Sequence, residues 1–112
     1  MLVEEIIDRW QNPQFAAGSS AIDYRIGAAE NPVCGDSCTM FVKLENGIVT
    51  DARHCTYGCT LTIVPADLLC ENLIGKPIDF EINLFELLGI PIGLNRRQCV
   101  LTPTQAFHEA LR

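Results

Sequence analysis

Residues 38–54 read CTMFVKLENGIVTDARH. Cys38, Met40, Val42 and Leu44 fall on one side of an extended chain, and Thr39, Lys43 and Glu45 on the other. That two-residue period belongs to a half-buried strand. Asn46-Gly47 interrupts it with a pair that accepts positive φ at both positions, as the tightest hairpin turn demands. The stretch therefore predicts two antiparallel strands folded back on each other. On the N-terminal side, AIDYRIGAAE (21–30) sets Ile22, Tyr24 and Ile26 against Asp23 and Arg25, which predicts a third strand. A short turn, NPVCGDSC (31–38), joins it to the hairpin, so the three strands form a meander.

The flanks read as helices. Val3, Ile6, Ile7 and Trp10 recur at helical spacing, placing Glu4, Glu5 and Asp8 outward, until Asn12-Pro13 stops the pattern. Residues 14–20 are small and polar, a connection. After the hairpin, PADLLCENLIGKP (65–77) carries an apolar helix ending in Gly75 and Pro77. Val64-Pro65 implies that this helix starts late or kinks. Phe80, Leu84, Leu87 and Leu88 give another stripe before Gly89. In TPTQAFHEALR, Thr102 reads as N-cap, Pro103 as first helical residue and Gln105 as the closing member of a capping box. Strands followed by helices predict an α+β domain over residues 1–112: a small three-stranded antiparallel sheet with helices packed on one face.

At 112 residues and 48% hydrophobic, the chain can bury a core of its own. A formal net charge of −6, with Arg96-Arg97 as the only adjacent basic pair, argues against nucleic acid as a partner. No apolar run approaches the length of a membrane span. The acidic start, MLVEEIIDRWQNP, lacks the features of a secretory signal, so the expected location is cytoplasmic. Six cysteines are then notable. In a reducing compartment such clusters serve metal or sulfur chemistry; in an oxidising one they would form three disulfides.

Three of the six stand where elements meet. Cys34 lies in the turn before the second strand, Cys59 follows Tyr57-Gly58 after the third, and Cys99 precedes the last predicted helix. All three would converge at one end of the sheet, near helix N-termini, where partial positive charge favours the thiolate. Arg96 and Arg97 would push Cys99 the same way. Asp36 adds an oxygen donor two residues from Cys34, with Gly35 as hinge between them. Three thiolates and a carboxylate suit tetrahedral Zn²⁺, and they suit a small iron–sulfur cluster. A hard oxygen on a soft site holds its metal less firmly than a fourth thiolate. Spacing alone is weak evidence, since no C-x-x-C pair occurs.

NPVCGD, then NGIVTDARHCTYGCTLT, then NRRQCVLT before a C-terminal helix resemble the NifU/IscU/SufU-type iron–sulfur cluster assembly scaffolds. The resemblance implies a SufE/NifU-like fold. It implies Cys34, Asp36, Cys59 and Cys99 as ligands, with Asp36 the labile one. It further implies a non-enzymatic scaffold that takes sulfur from a cysteine desulfurase, assembles a transient [2Fe–2S] cluster and passes it to apo iron–sulfur acceptor proteins. Zn²⁺ would occupy the same site. Gln98 stands where IscU-type members carry a histidine. The insertion that SufU-type members have before the last cysteine is missing. The stretch read by an Hsp70-type chaperone is replaced by IPIGLNRRQ (90–98), so that partner does not carry over.

Other residues invite plainer readings. Cys38 and Cys70 read as core thiols. Cys55 flanks the site, where it would serve as a substitute ligand, a sulfur relay or packing. His54, alternating with Ile48 and Ala52, points to the core or rim, with replacement of the missing histidine ligand as the sharper option. His108 reads as surface and Trp10 as a helix anchor. Two further functions stay open: a zinc-containing sulfur acceptor that stimulates a desulfurase, and a disulfide-stapled domain without metal.

Overall fold

The hairpin turns where its sequence requires, with Asn46 at φ 53° and Gly47 at φ 77°. In the computed structural model, which describes residues 1–17 and 23–112, it joins β2 (Asp36–Glu45) to β3 (Ile48–Tyr57). β1 (Arg25–Asn31) pairs antiparallel with β2, giving a three-stranded sheet in the order β1-β2-β3. Among the described residues there are four α-helices: α1 (Val3–Gln11), α2 (Thr60–Leu73), α3 (Leu84–Leu88) and α4 (Arg97–Ala110). A turn of 3-10 helix, Leu94–Arg96, leads into α4. α2 lies over β3 while α4 crosses β1 and β2, so these two helices cover one face of the meander as the sequence predicts.

Cys38, Met40 and Val42 of β2 are fully buried under the helices, with Val64, Leu69, Cys70 and Leu73 of α2 and Val100, Ala106 and Phe107 of α4. The strand alternation places β1 differently. Ile26 is 52% exposed, whereas Gly27 faces inward. α4 passes so close that a Cβ at position 27 would lie 2.1 Å from the Ala110 nitrogen. Size, not hydrophobicity, decides which face of β1 turns in. Ile22, the first residue of the predicted alternation, lies outside the described residues. In β3 the register slips at Lys43/Leu44, where Lys43 pairs Asp51 and Leu44 pairs Val49. This bulge leaves Thr50 unpaired and makes Val49, not Ile48, the buried partner of Ala52 and His54.

The helix boundaries correct the proline-based readings. α4 begins at Arg97, five residues before the predicted cap Thr102, and carries Pro103 in its interior. Thr102 is buried, its hydroxyl donating to the Gln98 carbonyl at 2.7 Å. α2 begins at Thr60 and likewise carries Pro65 inside. In both cases the lost i→i−4 bond falls within two turns of the helix start, where packing against the sheet outweighs it. α3 is shorter than its stripe implied. Asn83 caps it, accepting from the Phe85 and Glu86 amides, and Gly89 ends it at φ 66°.

α1 buries Ile6 alone and leaves Val3, Ile7 and Trp10 exposed, against the predicted stripe. Its rotation is set by Arg9, which reaches the fully buried Asp67 of α2 at 2.9 Å and Glu71 at 3.1 Å. Asp67 also accepts from the Gln14 and Phe15 amides and from His54 Nε2. Residues 15–17 run beside β3, with His54 N–H donating to the Phe15 carbonyl and Ala17 N–H to that of His54. One carboxylate thus fastens α1, the strap behind it and β3 to α2.

Candidate metal centre

Three chain segments bring the thiols together. The first is the turn after β1: the Gly35 amide donates to the Asn31 carbonyl at 2.8 Å, and Gly35 takes φ 74°, a left-handed angle that favours glycine. This turn presents Cys34 to solvent and starts β2 at Asp36. The second is the junction of β3 and α2, where Cys59 is the N-cap. The third is the first turn of α4, which contains Cys99, fully buried. The helix expected to follow Cys99 therefore includes it.

Cys34, Asp36 and Cys99 offer donor atoms that all lie within 4.8 Å of one another. The Cys99 and Cys34 sulfurs are 3.8 Å apart. Cys59 stands beside this triad, its thiol donating to Asp36 Oδ2 at 3.5 Å. The four residues singled out by sequence thus gather at the end of the sheet where α2 and α4 begin. His54 does not join them. Its ring is buried between Thr56 Oγ1, at 2.8 Å, and Asp67 Oδ1, at 3.1 Å. Cys55 pairs with Thr39 in the register, on the sheet face opposite Cys38 and Thr56. Gln98 turns to Gln105, its amide donating at 3.2 Å.

Two members of the site carry no cysteine signature. Thr62, fully buried in α2, donates its hydroxyl to Asp36 Oδ2 at 2.8 Å and lies 3.7 Å from the Cys59 sulfur. Asn31, buried at the end of β1, donates from Nδ2 to the Cys99 sulfur at 3.4 Å. The signal for Thr62 was a hydroxyl immediately before the apolar stretch IVPA (63–66); that for Asn31 was hidden in an ordinary Asn-Pro turn.

Burial raises the Asp36 carboxyl, but hydrogen bonds from Thr62, Cys59 and Cys99 and from the Cys59 amide outweigh it and leave the group below its ordinary range. Asp36 is therefore a carboxylate at neutral pH. Cys99 runs opposite to the expectation from its helix N-terminus and its arginines: burial, then the hydrogen bond to Cys34 and the neighbouring Cys59, push it up to about 12. Arg97 gives no help, since its guanidinium stacks on the Phe85 ring at 4.2 Å. A thiol so placed keeps its proton until a cation displaces it. Burial raises Cys38 to about 11 and Cys70 well above the ordinary value, which leaves both as core thiols.

The family model of the NifU-like N-terminal domain matches residues 1–110. The iron–sulfur cluster assembly scaffold protein IscU of Aquifex aeolicus is 34% identical over 118 residues, covering 97% of this chain and 73% of that protein. IscU of Escherichia coli K12 is 34% identical over 79 residues, 68% of this chain and 62% of its own length. Among solved structures, a candidate iron–sulfur cluster assembly scaffold for the SUF system from Fervidobacterium islandicum AW-1 superposes with TM-score 0.74 at 19% identity, over 99% of this chain and 96% of that one. The N-terminal part of a NifU-like protein from Brucella abortus gives 0.63 at 18% identity, over 95% and 86% of the two chains. These last two share the fold.

Proposed function

Because this chain belongs to the NifU-like N-terminal domain family, we propose that it is a scaffold on which an iron–sulfur cluster is assembled and from which it is passed on. The observation that carries this reading is the convergence of Cys34, Asp36 and Cys99 within 4.8 Å, with Cys59 hydrogen-bonded to Asp36. Cys34, Cys59, Cys99 and Asp36 are the ligands, and the cargo is a [2Fe–2S] cluster, with Zn²⁺ taken by the same donors when iron is absent. Three thiolates hold the cargo, and one carboxylate, the weaker partner for a soft site, lets it leave.

Sulfur comes from a cysteine desulfurase and the finished cluster goes to apo iron–sulfur proteins. Cys34 is the entry point: it is the exposed thiol of the set, and its thiolate attacks the outer sulfur of a donor persulfide, releasing the donor's thiolate. Leu94, Val33 and Tyr57, at 89%, 85% and 72% the most exposed large apolar side chains described, stand on the three segments that carry the site thiols. Such side chains suit transient covering by a partner protein. The chain itself catalyses no turnover. Metal analysis of anaerobically purified protein tests the reading: iron near two equivalents or zinc near one, lost in Cys34→Ser and Cys99→Ser but kept in Cys38→Ala, is expected. Equal metal content in all four proteins contradicts it.

A second reading has its own observation. Gln98 in place of a histidine, turned away to Gln105, leaves a site of three thiolates and a carboxylate that closes around a single Zn²⁺. The protein would then accept sulfur and stimulate a desulfurase without building a cluster. Tightly held zinc, faster desulfurase turnover and no iron uptake select this reading over the first.

A further inference from the structure

Two buried polar side chains outside the donor set reach into it from different elements. Asn31, 1% exposed, uses both ends of its amide. Its Oδ1 accepts the Val33 amide at 3.2 Å, fastening the turn that carries Cys34, while its Nδ2 donates to the Cys99 sulfur at 3.4 Å. No covalent link ties that turn to α4, so this amide bridges two segments 68 residues apart. Thr62 does the same for the other half. In the first turn of α2, its hydroxyl donates to Asp36 Oδ2 at 2.8 Å. The same oxygen lies 3.7 Å from the Cys59 sulfur.

We propose that Asn31 and Thr62 are positioning residues of the metal centre: Asn31 holds Cys34 and Cys99 as one pair, and Thr62 holds Asp36 and Cys59 as the other. The proposal rests on the ligand assignment above and adds what orients those ligands. Four donors on three segments keep facing one another only if their side chains are held in place. Asn31 Nδ2 and the Thr62 hydroxyl find their partners in the donor set itself, and in a buried site the penalty for leaving such groups unsatisfied is large. Partners of this kind fix the direction of metal ligands, and their removal weakens binding about 10–100-fold.

The test uses Co²⁺ as probe on the full chain, prepared metal-free under anaerobic, reducing conditions. Thr62→Val keeps the shape and removes the hydroxyl; Thr62→Ser returns it. Asn31→Asp keeps the oxygen for the Val33 amide and removes the donor to sulfur. Wild type is expected to show sulfur-to-cobalt charge-transfer bands. T62V and N31D should bind about 10–100-fold more weakly with altered ligand-field bands. T62S should restore both affinity and spectrum. Wild-type cobalt spectra and affinity in T62V and N31D, even with lowered melting temperatures, would overturn the proposal, as would a folded T62S that behaves like T62V.

A metal-free arm separates this proposal from the reading beneath it. Diamide takes two electrons and two protons from a pair of thiols, leaving a disulfide and the reduced hydrazine. In wild type it should close Cys34 onto Cys99; in N31D that closure should slow at least severalfold and Cys59 should compete. If wild type binds no Co²⁺ through sulfur, the ligand assignment falls and the role of Thr62 with it. The diamide arm then decides Asn31 alone, and closure in N31D as fast and selective as in wild type overturns that too.

Discussion

A methyl group at position 58 would lie 2.6 Å from Asp36 Cγ, closer than a Cβ can approach without something shifting. Gly58 is exposed and sits outside every donor pair, yet it holds open the space that the Asp36 carboxylate occupies. Gly58→Ala should therefore leave the fold intact and weaken Zn²⁺ affinity about tenfold or more, read by competition with a chelator. Cys38→Ala makes the contrasting case. It removes a fully buried core sulfur two residues from Asp36, and should cost about 1 kcal/mol of stability in urea unfolding with Zn²⁺ stoichiometry unchanged. The clustering of Cys34, Asp36, Cys59 and Cys99 was legible in the sequence because thiol, glycine and carboxylate stand adjacent in one turn, and Cys59 and Cys99 fall where elements begin. Gly58, Asn31 and Thr62 were not, because their roles exist only across the chain: a missing methyl, an amide reaching to a distant helix, a hydroxyl reaching to a carboxylate on β2.

Between elements, two contacts decide how the layers sit. α4 presses its backbone onto β1 at Gly27, where a Cβ would meet both the Ala110 nitrogen and, at 2.3 Å, the Ala106 carbonyl. Neither neighbour is a flexible side-chain end, so Gly27→Ala should cost about 3 kcal/mol, measured by denaturant unfolding. The second contact is the Asp67 knot. Burial raises this carboxyl, but the His54 hydrogen bond and the Phe15 and Gln14 amides outweigh it, so its folded pKa lies below the unfolded one. Such a group stabilises the fold above its unfolded pKa and loses that contribution as pH falls through the folded value. Asp67→Asn should lower stability at neutral pH by about 3 kcal/mol, since it leaves Arg9 without its buried partner, and should flatten the loss of stability below about pH 4. The hairpin was legible because Asn46-Gly47 states its own backbone angles. The helix starts at Arg97 and Thr60 were not: Thr102-Pro103 and Val64-Pro65 follow the local grammar of a helix start, and only packing against the sheet carries each helix past it. The outward turn of Val3, Ile7 and Trp10 was likewise hidden, because Arg9 and a carboxylate 58 residues away set the rotation of α1.

Taken whole, the molecule separates its tasks: the meander and the middle of α2 and α4 form the core, and the end where those two helices begin carries the thiols. Among the described residues no helix is long and apolar enough to cross a membrane. All six cysteines are free thiols, so protein freshly purified without reductant and stripped of metal should titrate six thiols under denaturing conditions, against none for a disulfide-stapled chain. The order of strands and helices and the face of β2 that turns inward could be read from periodicity; the close approach of α4 to β1 could not, because a glycine's reason lies in what packs on it. The proposed function requires these thiols to carry a cluster that Asp36 keeps exchangeable. The most direct measurement is anaerobic reconstitution with Fe²⁺, cysteine and a cysteine desulfurase, followed by visible absorption and transfer to an apo-ferredoxin. A [2Fe–2S] spectrum in wild type that is lost on transfer, and a slower loss in Asp36→Ala, are expected. Wild-type protein that binds no iron and develops no visible band would contradict the proposed function.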